Sequence, residues 1–150
     1  MLRTLSRGAL AGAAGTTALN AVTYLDMAVR ARPSSSTPER TVDALAGRAH
    51  VEIPGDGPQR QARLTGLGAL NGIALGAGIG VIAAGLRRIG VRPPWWAGSV
   101  GVAGLAMAAS AVPMARLGVS DPRTWSAADW LSDALPHLAY GFVAHEAISA

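Results

Sequence analysis

Cysteine and lysine are both absent from this chain, and aromatic residues make up only 5% of it. The first absence excludes disulfides, thiolate metal sites and cysteine nucleophiles, while saying little about redox compartment. The second makes arginine the only basic residue beside histidine, for a formal charge of +4. An Arg-only, Ala- and Gly-rich composition fits a GC-rich genome better than selection for nucleic acid. A basic patch with interleaved aromatics is also missing, so no nucleic-acid partner is expected. Equally missing are a serine nucleophile with its base, a zincin motif and paired glycosidase carboxylates. The turn cluster Ile53-Pro54-Gly55-Asp56-Gly57-Pro58 lacks the glycine spacing and lysine of a phosphate cradle. The sequence therefore points away from an enzyme, and it calls for no cofactor and no bound metal.

What the chain has in quantity is apolar length. Half of its residues are hydrophobic, and they gather in four stretches, 8–28, 64–86, 95–115 and 127–148. About 20 apolar residues carry an α-helix across a hydrocarbon core of about 30 Å. The expectation is an all-α fold: a bundle of four transmembrane helices forming one integral membrane domain over residues 1–150. A soluble domain of this length is the alternative, but Leu64–Leu86 contains no charge and would have nowhere to hide. Arg3 and Arg7 before a small-residue run also allow a signal peptide, with Ala18-Leu19-Asn20-Ala21 resembling a cleavage site. A retained helix is preferred because the apolar run continues to Val29.

The polar loop 30–63 follows the first stretch. Thr37-Pro38-Glu39 reads as a helix start, with a capping hydroxyl, Pro at the first helical position and an acid in the first turn. Val42, Leu45 and Ala46 make a short apolar face, and Gly47 is a plausible stop. This predicts an amphipathic helix on the membrane surface or over the bundle. Pro113 is expected to kink or end the third long helix.

Glycine, with 19 residues, is a liability in soluble helices but lets membrane helices approach closely. Gly8, Gly12, Thr16 and Asn20 share one face of the first helix. Gly68, Gly72, Gly76 and Gly80 make a longer stripe on the second, a glycine-zipper pattern. The expectation is that the two faces pack together. A homo-oligomeric interface or a pore-lining seam is the alternative use of such a stripe.

The fourth stretch carries ionisable groups that lipid penalises. Asp129, Asp133, His137 and Tyr140 fall within about 80° of arc on a helix, and an Asp near a helix centre costs about 2.5–3.5 kcal/mol on insertion. The polar face is therefore expected to look inward, with Asp26 or Asn20 near enough to join it. Pro136 cannot donate to the Ser132 carbonyl, which leaves an unpaired acceptor beside His137. Three carboxylates and a histidine can bind a cation or pass protons. The plainer reading pairs Asp26 with Arg30 at i+4 and Asp129 with a nearby arginine, and gives His137 a neighbouring hydroxyl or carbonyl.

Four crossings put both termini on one side, with Arg3, Arg7, Arg87, Arg88 and Arg92. The other side carries the loop and the remaining arginines. The raw count, five arginines against eight, favours the loop side as cytoplasmic, whereas their density in short segments favours the side of the termini. The positive-inside rule does not decide between them, and cytoplasmic termini are the expectation taken.

From Ser110 onward a resemblance emerges. Pro113-Met114 with Leu117-Gly118, Pro122, Trp125, Ser132, His137-Leu138, Tyr140 and Glu146 resembles the end of YagU-like inner-membrane proteins. Those have a proline-terminated helix, a Trp-containing turn, and a last helix with His-Leu, an aromatic and a Glu. Pro136 stands where the resemblance leads one to expect Gly. The resemblance implies a multi-pass protein of the bacterial inner membrane, of unassigned biochemistry. The function expected is a non-enzymatic accessory or scaffold bundle in the lipid bilayer, as a homo-oligomer or part of a larger membrane complex. The alternative is a small proton- or cation-handling protein using the polar face of the last helix.

Overall fold

The computed structural model describes residues Met1–Ala150. The fold is all-α, with helices α1 (Leu2–Arg30), α2 (Thr37–Arg48), α3 (Gly57–Arg88), α4 (Trp95–Arg116) and α5 (Ala127–Ser149). A 3-10 turn, Pro122–Thr124, lies between α4 and α5, and there is no strand. In that turn Arg123 donates to both carboxylate oxygens of Asp121. This bonding and the positive charge hold the Asp121 carboxyl below the usual carboxylate range.

Each expected helix forms, but α3 starts at Gly57 rather than Leu64. Asp56 takes the extended N-cap conformation and Pro58 sits in the first turn, where its missing N–H costs nothing. The turn cluster is thus partly a helix start. At 32 residues α3 is about 48 Å long, beyond the roughly 30 Å of a hydrocarbon core. Its first turns are where α2 packs. Arg60 bonds Asp43 at 2.5 Å, Thr65 donates to Glu39 Oε1 at 3.1 Å, and Gly68 lies against Pro38. Helix α2 therefore rests on a neighbouring helix, and it runs through Gly47 to Arg48. Pro113 sits in the last turn of α4, where the Leu117 N–H still reaches its carbonyl.

In the bundle α1 packs against α3 and α5, α5 packs against α4, and α4 returns more sparsely to α3. By length and composition two helices, α3 and α4, are apolar enough to cross a membrane. Four were expected. Helices α1 and α5 have the length, but Thr16, Thr17, Asn20 and Thr23 dilute the first, and Asp129, Asp133, His137, His145 and Glu146 the second.

The interior is built from small residues. Of 150 residues 24 are buried, and Tyr140 is the one large side chain wholly enclosed. Large apolar side chains point outward instead, among them Leu70, Ile73, Ile82, Val100, Leu135 and Phe142. Small residues at the contacts let the backbones come close. A Cβ on Gly12 would collide with the Gly76 carbonyl, and one on Gly80 with the Gly8 carbonyl. Gly8, Gly12, Gly76 and Gly80 thus form one α1–α3 seam, which Thr16 extends beside Gly76. Gly68 belongs to the α2 contact, and Gly72 meets nothing within 4 Å. Four-residue steps drift around a helix of 3.6 residues per turn, and packing against α2 and then α1 leaves Gly72 facing outward between them.

Candidate functional site

Helix α5 starts with a capping box. The Asp129 backbone N–H donates to Ser126 Oγ at 3.2 Å, and the Ser126 N–H donates to Asp129 Oδ2 at 2.9 Å. Both orphan donors at the helix start are satisfied, and Asp129 is exposed. This corrects the expectation that Asp129 looks into the bundle. A carboxylate at the third helical position turns back to its own N-terminus when a serine precedes it by three residues.

Asp26 is bound by arginine. Arg30 contacts it at 2.7 Å and Arg32 at 2.5 Å. The second partner depends on Ala31, whose left-handed backbone (φ 50°, ψ 37°) ends α1 and folds the chain back. Arg30 also donates to Ser132 Oγ on α5 at 2.6 Å. Asp26 therefore reaches α5 through Arg30 and Ser132, one residue short of Asp133. Asn20 is half-buried, and its side chain makes no hydrogen bond to this group.

Asp133 and His137 face each other one helical turn apart. Nδ1 of His137 lies 2.7 Å from the Asp133 carbonyl and 3.6 Å from its Oδ1. Only the first distance is a hydrogen bond, so a protonated Nδ1 donates to the backbone beside Pro136. That covers a carbonyl in the turn that the proline weakens. Oδ2 of Asp133 is buried with no partner. Chemically this is one carboxyl and one imidazole, able to hold or exchange a proton but short of a coordination sphere. No group of three His, Asp or Glu is placed to hold a metal ion.

Tyr140 lies deepest. Its hydroxyl donates to the Gly76 carbonyl at 2.6 Å, and its ring occupies the space beside Gly15. It locks α5 onto α1 and α3 and is separate from the Asp133–His137 pair. The five candidates Asp26, Asp129, Asp133, His137 and Tyr140 thus divide into an arginine-bound carboxylate, a helix cap, an acid–imidazole pair and a packing lock.

Sequence reasoning missed a second contact on α5. Gly98 of α4 lies against the ring of buried His145, and Gly141 against the Ser99 carbonyl and Ala103. Gly141 and His145 are one turn apart, so a small residue followed by a histidine at i+4 was the available signal. Gly15, seven residues after Gly8, likewise shares the α1 face that was noted. No protein-family model, curated protein or solved structure matches this chain.

Proposed function

We propose that the chain is a multi-pass protein of the bacterial inner membrane, a non-enzymatic bundle acting as accessory subunit or scaffold. In this reading α1, α3, α4 and α5 all cross, and the polar groups of α1 and α5 are carried inside. The observation that carries it is the inverted burial: a seam of Gly and Ala within, large Leu, Ile, Val and Phe side chains without. Each such side chain moved from water into an apolar phase gains about 1.5–3 kcal/mol. The outward residues lie on all four long helices, including Leu10 on α1 and Leu135 on α5. The resemblance of the C-terminal part to YagU-like proteins agrees with this architecture.

Alkaline carbonate extraction of membranes from expressing cells tests the location. The protein is expected in the pellet, and release into the supernatant overturns the reading. Purification in mild detergent with native mass measurement tests the scaffold role. A homo-oligomer or a co-purifying membrane subunit is expected, and a monodisperse monomer without partners under gentle extraction overturns it.

A second reading rests on the partnerless Asp133 Oδ2 beside His137. A buried carboxylate oxygen without a donor is costly unless a proton or cation visits it. Proteoliposome flux measured against His137→Ala separates this reading from the first.

A further inference from the structure

The acid–arginine pairs of this protein all lie toward one end of the bundle. They join Asp26 to Arg30 and Arg32, Asp43 to Arg60, and Asp121 to Arg123. At the opposite end Arg3, Arg7, Arg87, Arg88 and Arg92 have no carboxylate within 4 Å. The one acidic side chain near them, Glu146, is exposed and unpaired.

Two of these arginines stand over a groove. A cavity of about 340 Å³ opens between the start of α1 and the end of α5, lined by Arg3, Ser6, Arg7, Leu10, Ala11 and Ala147. Arg3 and Arg7 are one turn apart and share its rim. Arg7 makes only long contacts of 3.4 Å to the Ala147 carbonyl, so its guanidinium keeps donors to spare. Leu10, Ala11 and Ala147 make the lower wall apolar. On α3, Arg88 donates to Thr4 at 3.3 Å, which brings a third cation beside the first turn of α1.

Cationic rim above, apolar wall below: the chemistry is that of an anionic amphiphile. We propose that this groove binds the headgroup of an anionic phospholipid. Arg3 and Arg7 take the phosphate, and the start of one acyl chain lies on Leu10, Ala11 and Ala147. Guanidinium suits the site because its fork matches phosphate oxygens in pairs. The proposal rests on the membrane reading above.

The test uses the full chain reconstituted in nanodiscs of phosphatidylcholine with phosphatidylglycerol, with bound lipid read by native mass spectrometry. Wild type is expected to retain phosphatidylglycerol in preference to phosphatidylcholine. Arg3→Gln/Arg7→Gln should weaken that retention roughly thirtyfold, at about one decade or less per arginine near a membrane surface. Arg3→Lys/Arg7→Lys should recover part of it. Arg92→Gln, which removes a cation from the same end but not from the groove, should leave it unchanged. Equal loss in Arg92→Gln would mean bulk charge attraction and overturn the site, as would full retention in the double variant. Displacement by millimolar inorganic phosphate would overturn the lipid as occupant. Circular dichroism of each variant separates lost binding from lost folding. Protein that pellets with membranes yet shows no lipid preference sinks the groove alone. Protein that never enters the membrane sinks the parent reading.

Discussion

The Tyr140 hydroxyl donates to the Gly76 carbonyl at 2.6 Å across the α3–α5 interface, and both residues are buried. The carbonyl has a second lone pair, so the bond adds to the α3 helix without replacing one of its own. Tyr140→Phe keeps the ring against Gly15 and loses this one bond, for a cost of about 0.5–1.5 kcal/mol. Tyr140→Ala empties the core as well and should cost about 3–5 kcal/mol. Unfolding by a denaturing detergent titrated into mild-detergent micelles ranks the two. Equal destabilisation would mean that the ring contributes little.

The α1–α3 seam makes a sharper contrast. A Cβ on Gly12 or Gly80 would meet the backbone of the partner helix and one on Gly76 the Thr16 hydroxyl, whereas Gly72 meets nothing within 4 Å. Gly76→Leu should separate the helices and lower folding yield or stability severely. Gly72→Leu should fold normally and, being a better helix former, gain up to about 1 kcal/mol. Thermal melting in detergent reads both. If Gly72→Leu instead disrupts an oligomer while the monomer stays folded, the outward part of the stripe is an interface between copies.

Much of this fold was legible because each feature was local. Hydrophobic length gave the four long helices, Thr37-Pro38-Glu39 gave α2, and the i+4 spacing of Asp26 and Arg30 gave their ion pair. What stayed hidden depended on the chain turning or on partners distant in sequence. Arg32 joins Asp26 only because Ala31 adopts a left-handed conformation, which nothing about alanine announces. Asp129 was placed on an inward face by periodicity, yet Ser126 three residues earlier already spelled the capping box that claims it. The four-residue glycine stripe overreached because helical period is not four, so Gly72 rotates out of the contact that Gly76 and Gly80 make. For Gly98 against His145 the Gly141–His145 spacing marked a contact face on α5, but which helix meets that face stayed hidden.

Ala31 itself offers a test. A residue with a Cβ in the left-handed region loses about 1–2 kcal/mol relative to a right-handed one, and glycine is the usual residue there. Ala31→Gly should therefore be neutral to stabilising by up to about 1 kcal/mol, with the Asp26–Arg32 contact kept. Ala31→Val should destabilise, because a β-branched side chain is strained at positive φ. Both are read by melting in detergent. Destabilisation by glycine would show that unfolded-chain entropy outweighs the strain.

Orientation follows from the unpaired arginines at the end that holds both termini. Basic residues in short segments set topology and acidic ones count little, so that end is expected to be cytoplasmic. The absence of cysteine makes single-cysteine labelling clean. In intact spheroplasts a membrane-impermeant maleimide should react with Ser34→Cys, in the exposed α1–α2 loop, and spare Val91→Cys, in the α3–α4 hairpin. The reverse pattern would invert the protein. Labelling of both in intact cells would deny an odd number of crossings between them.

The Asp133–His137 pair decides between scaffold and proton pathway. A pathway needs successive groups within reach, and here the neighbouring polar groups are engaged elsewhere. On α5 Tyr140 is bound to Gly76, and on α1 Asp26 is held by two arginines. We therefore expect proteoliposomes of wild type to carry no proton flux above empty vesicles, at either sign of gradient. In that case His137 acts through its bond to the Asp133 carbonyl. His137→Gln, which can still donate, should stay within about 0.5 kcal/mol of wild type, while His137→Ala should lose about 0.5–1.5 kcal/mol. Asp133→Asn should be neutral or stabilising, because it replaces a buried unpartnered carboxylate with an uncharged group. Proton flux in wild type that disappears in both His137→Ala and Asp133→Asn would reverse this assignment. The pair would then be the proton-carrying site, and the partnerless Oδ2 the point at which the proton is received.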